Sequence, residues 1–199
     1  MPARCAITLE TPSITDLQKE GVMHKLVSTA IAFLILVGAV FVEVAAANKE
    51  KTHIILSFQT MYGVDGPFVG EGNPIREVIG DELPWEIAKS IRGKLDTAGH
   101  LKIAVRGLVF KENPSVPAEL RGKNDEAEFR GLVSCLTEEG DTVVTKNVVT
   151  SGFPASAEGN SDINTHVELP NPCVSPIVMV LAGSEEKWFA MTGFEAEEE

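Results

Sequence analysis

His53, His100 and His166 follow the apolar stretch near the amino terminus. With serines and carboxylates they are the residue types from which a nucleophilic triad or a zinc site is built. Their spacing supports neither. No G-x-S-x-G surrounds a serine, no H-E-x-x-H occurs, and His166 falls on the polar side of an alternating segment while His100 sits among turn residues. They read as solvated surface histidines.

Carboxylates are abundant, and two of them across a cleft suffice in principle for glycosidic hydrolysis. Glu138, Glu139 and Asp141 occupy one turn-like stretch and Glu185 and Glu186 another, where solubilising charge is the simpler role. A secreted hydrolase with its carboxylates on loops therefore stands as the alternative to a binding module. Asn124, Asp125, Glu126 and Glu128 crowd oxygen ligands into one loop and are the candidate calcium site, although the spacing is not that of an EF-hand. Asp65, Glu71 and Asn73 form a second, sparser group.

Tyr62, Asp65, Phe68 and Trp85 lie in or beside the Gly/Pro-rich stretch 63–84 and are the candidate ligand-binding residues. Covering the open end of a sheet is the competing role for these aromatics. Arg76, Arg92, Arg106 and Arg121 are anion-holding types, for which pairing with the surplus carboxylates is the simpler expectation.

The elements that must position these groups follow from pattern. Ile163, Thr165, Val167 and Leu169 alternate with Asp162, Asn164, His166 and Glu168, which is a strand with one buried and one wet face. Residues 91–95 and 101–105 alternate about Asp96-Thr97-Ala98-Gly99-His100 and form a hairpin, and opposed residues share a face only if Leu95 meets Leu101 and Gly93 meets Ile103. The apolar phase slips after Gly107, which marks a bulge. Phe129, Gly131, Val133 and Cys135 lead through a polar turn into the β-branched run 143–149, a second hairpin. The unbroken apolar run 177–181 reads as a strand buried on both faces.

Candidate strands fall at about 86–95, 101–110, 127–136, 142–150, 162–169, 175–182 and 187–194, with residues 52–62 as an additional edge strand. Short strands at this spacing, with no competing helix after residue 84, specify an all-β fold: an antiparallel β-sandwich, Ig-like or Greek-key, of seven to eight strands. Ile103, Val105, Val133, Val167, Val178 and Trp188 are its expected core.

The charge excludes some partners. Seventeen basic against 29 acidic residues give a net charge of -12 and a pI near 4.8, so nucleic acid is not expected. Leu26 to Val42 is an apolar run preceded by His24 and Lys25 and followed by Ala45, Ala46 and Ala47, the layout of a secretory signal peptide over residues 1–47, with Met23 as a possible true start. An uncleaved run would instead make a membrane-tethered interaction protein, the only route by which a membrane becomes a partner. The chain then divides into 48–84, an edge strand and the Gly/Pro-rich loop; 85–195, the sandwich; and 196–199, an acidic tail. Cys135 and Cys173 are an even pair behind an export signal and read as one disulfide. The expected location is secreted, periplasmic or cell envelope.

Several stretches carry a resemblance: Met61-Tyr62-Gly63-Val64-Asp65-Gly66-Pro67-Phe68, Leu83-Pro84-Trp85, Val105-Arg106-Gly107-Leu108-Val109-Phe110, Phe129-Arg130-Gly131-Leu132-Val133-Ser134-Cys135 and Leu169-Pro170-Asn171-Pro172-Cys173. In these the chain resembles a family of small exported bacterial proteins that carries no assigned activity. The resemblance implies export and a β-rich fold, and it brings no catalytic residues.

Overall fold

The computed structural model describes residues 51–193; the expected signal peptide, 1–47, and the expected acidic tail, 196–199, lie outside them. Among the described residues eleven strands occur in chain order: β1 (Ile54–Phe58), β2 (Tyr62–Gly63), β3 (Ile79–Gly80), β4 (Trp85–Asp96), β5 (His100–Phe110), β6 (Glu128–Glu139), β7 (Thr142–Val149), β8 (Phe153–Pro154), β9 (Ser161–His166), β10 (Val174–Ala182) and β11 (Lys187–Met191). They form two sheets, β1-β4-β5-β9 and β2-β11-β10-β6-β7, the second extended by β3 on β11 and β8 on β6. The fold is the all-β sandwich that the alternation specifies.

The β4–β5 hairpin has the register that shared faces demand, with Leu95 opposite Leu101 and Gly93 opposite Ile103. The phase slip at Gly107 is a bulge whose extra residue lies on the partner strand: Ile87 meets Leu108 but Ser90 meets Arg106, and Gly107 bends away at φ 72. Ile91, Leu95, Leu101, Ile103 and Val105 present one fully buried face to the second sheet. There a Cβ at Gly131 would lie 3.0 Å from Leu101 and 3.5 Å from Ile163, so this glycine marks a close approach of the two sheets. Val133 and Cys135 continue its face along β6.

Cys135 is bonded to Cys173, which ties β6 to the segment entering β10. The pair is 38 residues apart, a loop whose closure restricts the unfolded chain by roughly 4 kcal/mol on the loop-entropy model. The bridge belongs to an oxidising compartment. Among the described residues no helix is long and apolar enough to cross a membrane.

The stretch 63–84 is less irregular than its composition implies. Two short strands hold it to β11, with Met191 opposite Tyr62 and Trp188 opposite Gly80, and a tight turn closes between Ile75 and Val78. Between them the chain crosses the outer face of the second sheet: Phe68 packs against Trp188, the Arg76 guanidinium donates to the Ser175 carbonyl, and the Asn147 amide donates to the Arg76 carbonyl. This cover explains why Leu132, Met179 and Leu181, which alternate with the inner-face residues, are buried as well. The run 177–181 has apolar contacts on both faces for that reason.

Candidate functional site

Where β2 passes the start of β4, the backbones approach so closely that a side chain at Gly63 would strike the Trp85 carbonyl. Asp65 follows and caps the turn Gly66–Phe68, accepting from Gly66 N at 2.9 Å. Lys111, the first residue after β5, reaches across to the Asp65 carboxylate. This hydrogen bond from Lys111, reinforced by the Gly66 amide and outweighing partial burial, holds the Asp65 carboxyl below the usual carboxylate range. The same bond raises Lys111. Both groups stay charged at neutral pH.

The ion pair lies in a cleft of about 370 Å³ whose wall includes Gln59, Tyr62, Glu86 and Lys89. One phenol, one amide, two carboxylates and two ammonium groups thus surround a shallow space, an array of donors and acceptors suited to a polar ligand. Tyr62 also borders a second, apolar groove of about 290 Å³ with Phe68, Ile75 and Met191. It meets Phe68 edge to face at 6.1 Å.

All four expected ligand residues border these two openings. Trp85, however, offers the cleft almost no surface. It is 1% exposed, and its indole stacks on Phe189 at 3.9 Å within the core, with Nε1 donating to Asp81 Oδ2 at 2.8 Å. Its position at the head of β4 points it between the sheets, and it takes the covering role for aromatics at a sheet end. Lys111, Glu86, Lys89 and Gln59 carry no spacing signal in the sequence; only the meeting of β1, β4 and β5 gathers them.

The candidate calcium loop is built for another purpose. The Asn124 amide donates to the carbonyls of Glu126 and Ser156 while its oxygen accepts from Glu126 N. The Glu126 carboxylate accepts from Ser184 Oγ at 2.7 Å, and the Glu128 carboxylate lies against Gly152. Burial pushes the Asp125 carboxyl up, with neighbouring Glu126 adding to the effect. Asn124 and Glu126 are a clasp joining loops, and the carboxylates of Asp125, Glu126 and Glu128 do not converge as a group.

Among the described residues, the carboxylates that do converge are Asp81, Glu82 and Glu185. The cation among them is Lys187, which bonds both Glu82 and Glu185 and is raised well above the ordinary lysine range by those two bonds. Asp81 is raised by burial, partly offset by its bond from Trp85. This is an ion-pair network at the mouth of β11.

His53, His100 and His166 are exposed, as their positions in sequence imply. His100 and His166 face one another across β5 and β9 with ring centroids 5.3 Å apart, and the Asp96 carboxylate lies 3.1 Å from His100 Nδ1. No protein-family model, no curated protein and no solved structure matches the chain.

Proposed function

We propose that this chain is an exported binding module of the cell envelope or extracellular space, and that its ligand enters the polar cleft beside Tyr62, Asp65 and Lys111. The observation that carries the reading is the Asp65–Lys111 pair: two charged groups fixed in an open cleft at the end of a rigid, disulfide-tied sandwich. Fixed donors and acceptors of this kind orient a polar ligand at little entropic cost.

The hydrolase reading asks for something different. A general acid working near neutral pH needs a carboxyl held above its ordinary range. In this cleft Asp65 is displaced the opposite way, toward permanent charge, which favours recognition over proton transfer. Export is supported by the oxidised cysteine pair and by the leader-like pattern of residues 1–47, and the β-rich architecture agrees with the family that the sequence resembles.

The test has two arms. Mass spectrometry of the protein recovered outside the cytoplasm should find an amino terminus at Asn48; an intact leader would favour the membrane-tethered form. Screening the recovered protein against carbohydrate and peptide arrays should give a ligand whose retention is lost on Asp65→Ala.

A further inference from the structure

The outer face of the first sheet, which continues from the cleft, holds an arrangement of charge that the fold does not use. Lys94 on β4 is directly opposite Lys102 on β5, and Arg92 lies one step along the same face opposite Ala104. All three are exposed. Like charges in opposed positions on one face of a sheet are destabilising. Acidic residues outnumber basic ones in this chain by 29 to 17, so a carboxylate partner would be easy to supply.

None is supplied. Of the lysines and arginines among the described residues, all but Lys51, Lys89, Arg92, Lys94 and Lys102 bond a carboxylate or a carbonyl. Lys89 has the Coulombic attraction of exposed Glu158 but no direct bond to it, and two acids of this sheet, Asp162 and Asp96, are already engaged. Asp162 takes Arg106 at 2.7 Å, and Asp96 takes His100 together with the backbone amides of Ala98 and His100. Four of the five unbonded cations thus fall along one stretch of β4 and its neighbour β5.

Arg92, Lys94 and Lys102 border a shallow groove of about 280 Å³ with Ser57 and Gln59. Gln59 also borders the cleft beside Tyr62, where Lys89 and Ser90 complete the wall. The two openings are therefore one track running along β4, and from Lys89 to Lys94 it spans roughly 17 Å at the rise of a β-strand. Cations set at intervals, with a hydroxyl or amide between them, match a polymer that alternates negative groups with hydroxyls. The track offers no aromatic faces between its cations on which bases could stack, and the net charge opposes a polyanion as dense as nucleic acid.

We infer that this face, from Lys89 through Arg92 and Lys94 to Lys102, is a binding track for an acidic polysaccharide, with the cleft at Tyr62 as its end. The inference rests on the binding-module reading and names its ligand class.

The experiment uses the full chain as recovered, with polygalacturonate and hyaluronate fragments as probes and neutral dextran, an oligonucleotide and anionic phosphatidylglycerol vesicles as controls. Both acidic polysaccharides should bind, and binding should weaken steeply between low and physiological salt. Arg92→Gln/Lys94→Gln/Lys102→Gln should weaken it at least tenfold. Lys94→Glu alone should also weaken it while leaving Tm equal to or above that of the wild type, because it gives Lys102 an opposite charge. Loss of binding then cannot be a folding defect. Equal binding to dextran, undiminished binding by the triple variant, or a preference for the oligonucleotide or the vesicles would overturn the track. Retention of some other ligand that Asp65→Ala abolishes and the triple variant does not would overturn the track while sparing the cleft.

Discussion

The indole Nε1 of Trp85 donates to Asp81 Oδ2 at 2.8 Å, inside the protein, and this bond joins the head of β4 to the chain that covers the second sheet. It fixes the geometry of the cleft wall from behind. Asp81→Ala leaves a buried donor without an acceptor and should lower stability by about 1–3 kcal/mol. Asp81→Asn keeps an acceptor and should avoid most of that loss. Chemical denaturation of the two variants measures the difference.

The same residue predicts a pH dependence. Burial raises the Asp81 pKa in the folded state, so its contribution is fully present below the unfolded value and fades as pH rises through the folded one. Asp81→Asn does not titrate. Its Tm relative to wild type should therefore shift in the variant's favour as pH rises from about 4 toward neutrality; a difference constant across that range would contradict the assignment.

Asp65 works with the opposite sign. Lys111 holds its folded pKa low, so the stabilisation is present above the ordinary carboxylate range and is lost as pH falls through and below it. Both partners are about one-third exposed, and the pair is worth under about 1 kcal/mol. Wild type should lose its margin over Asp65→Asn on acidification below about pH 4. Thermal melts at several pH values read this directly.

How far the sequence could be read depended on how long each pattern ran. Leu95, Leu101 and Ile103 alternate over enough positions that only one hairpin register buries them, and once Cys5 is set aside with the expected signal peptide, Cys135 and Cys173 leave one pairing. The two-residue strands at Tyr62 and Ile79 leave no periodicity, so the covering chain read as loop. Trp85 does border the cleft, but its ring turns inward, because an aromatic beside a Gly/Pro-rich stretch has the same local sequence whether it faces water or the core. Its direction is set by Phe189, which is distant in sequence. The calcium loop misled for a related reason: oxygen-rich side chains serve equally as loop clasps, and Ser156 and Ser184, which use them, lie far along the chain.

The disulfide gives a third kind of prediction. Thiol titration of the denatured, unreduced protein should find neither Cys135 nor Cys173 free. Replacing both by alanine should lower stability by about 2–5 kcal/mol. Two free thiols in the protein from an oxidising compartment would contradict the bridge.

Gly99 closes the β4–β5 hairpin at φ 84, a backbone region that strains residues with a side chain, and a Cβ there would strike the Val167 carbonyl. Gly99→Ala should destabilise the protein by about 1–3 kcal/mol. It should also disturb the neighbouring His100–His166 contact, visible in the histidine ring resonances.

The most direct measurement is amide hydrogen exchange on the recovered protein, alone and saturated with the first ligand retained on a carbohydrate or peptide array. Recognition in the cleft predicts slower exchange at Tyr62 to Asp65 and at Lys111, with β7 and the loop at Asn124 unchanged. Slower exchange confined to those distant segments, or no ligand retained from any array, would contradict it.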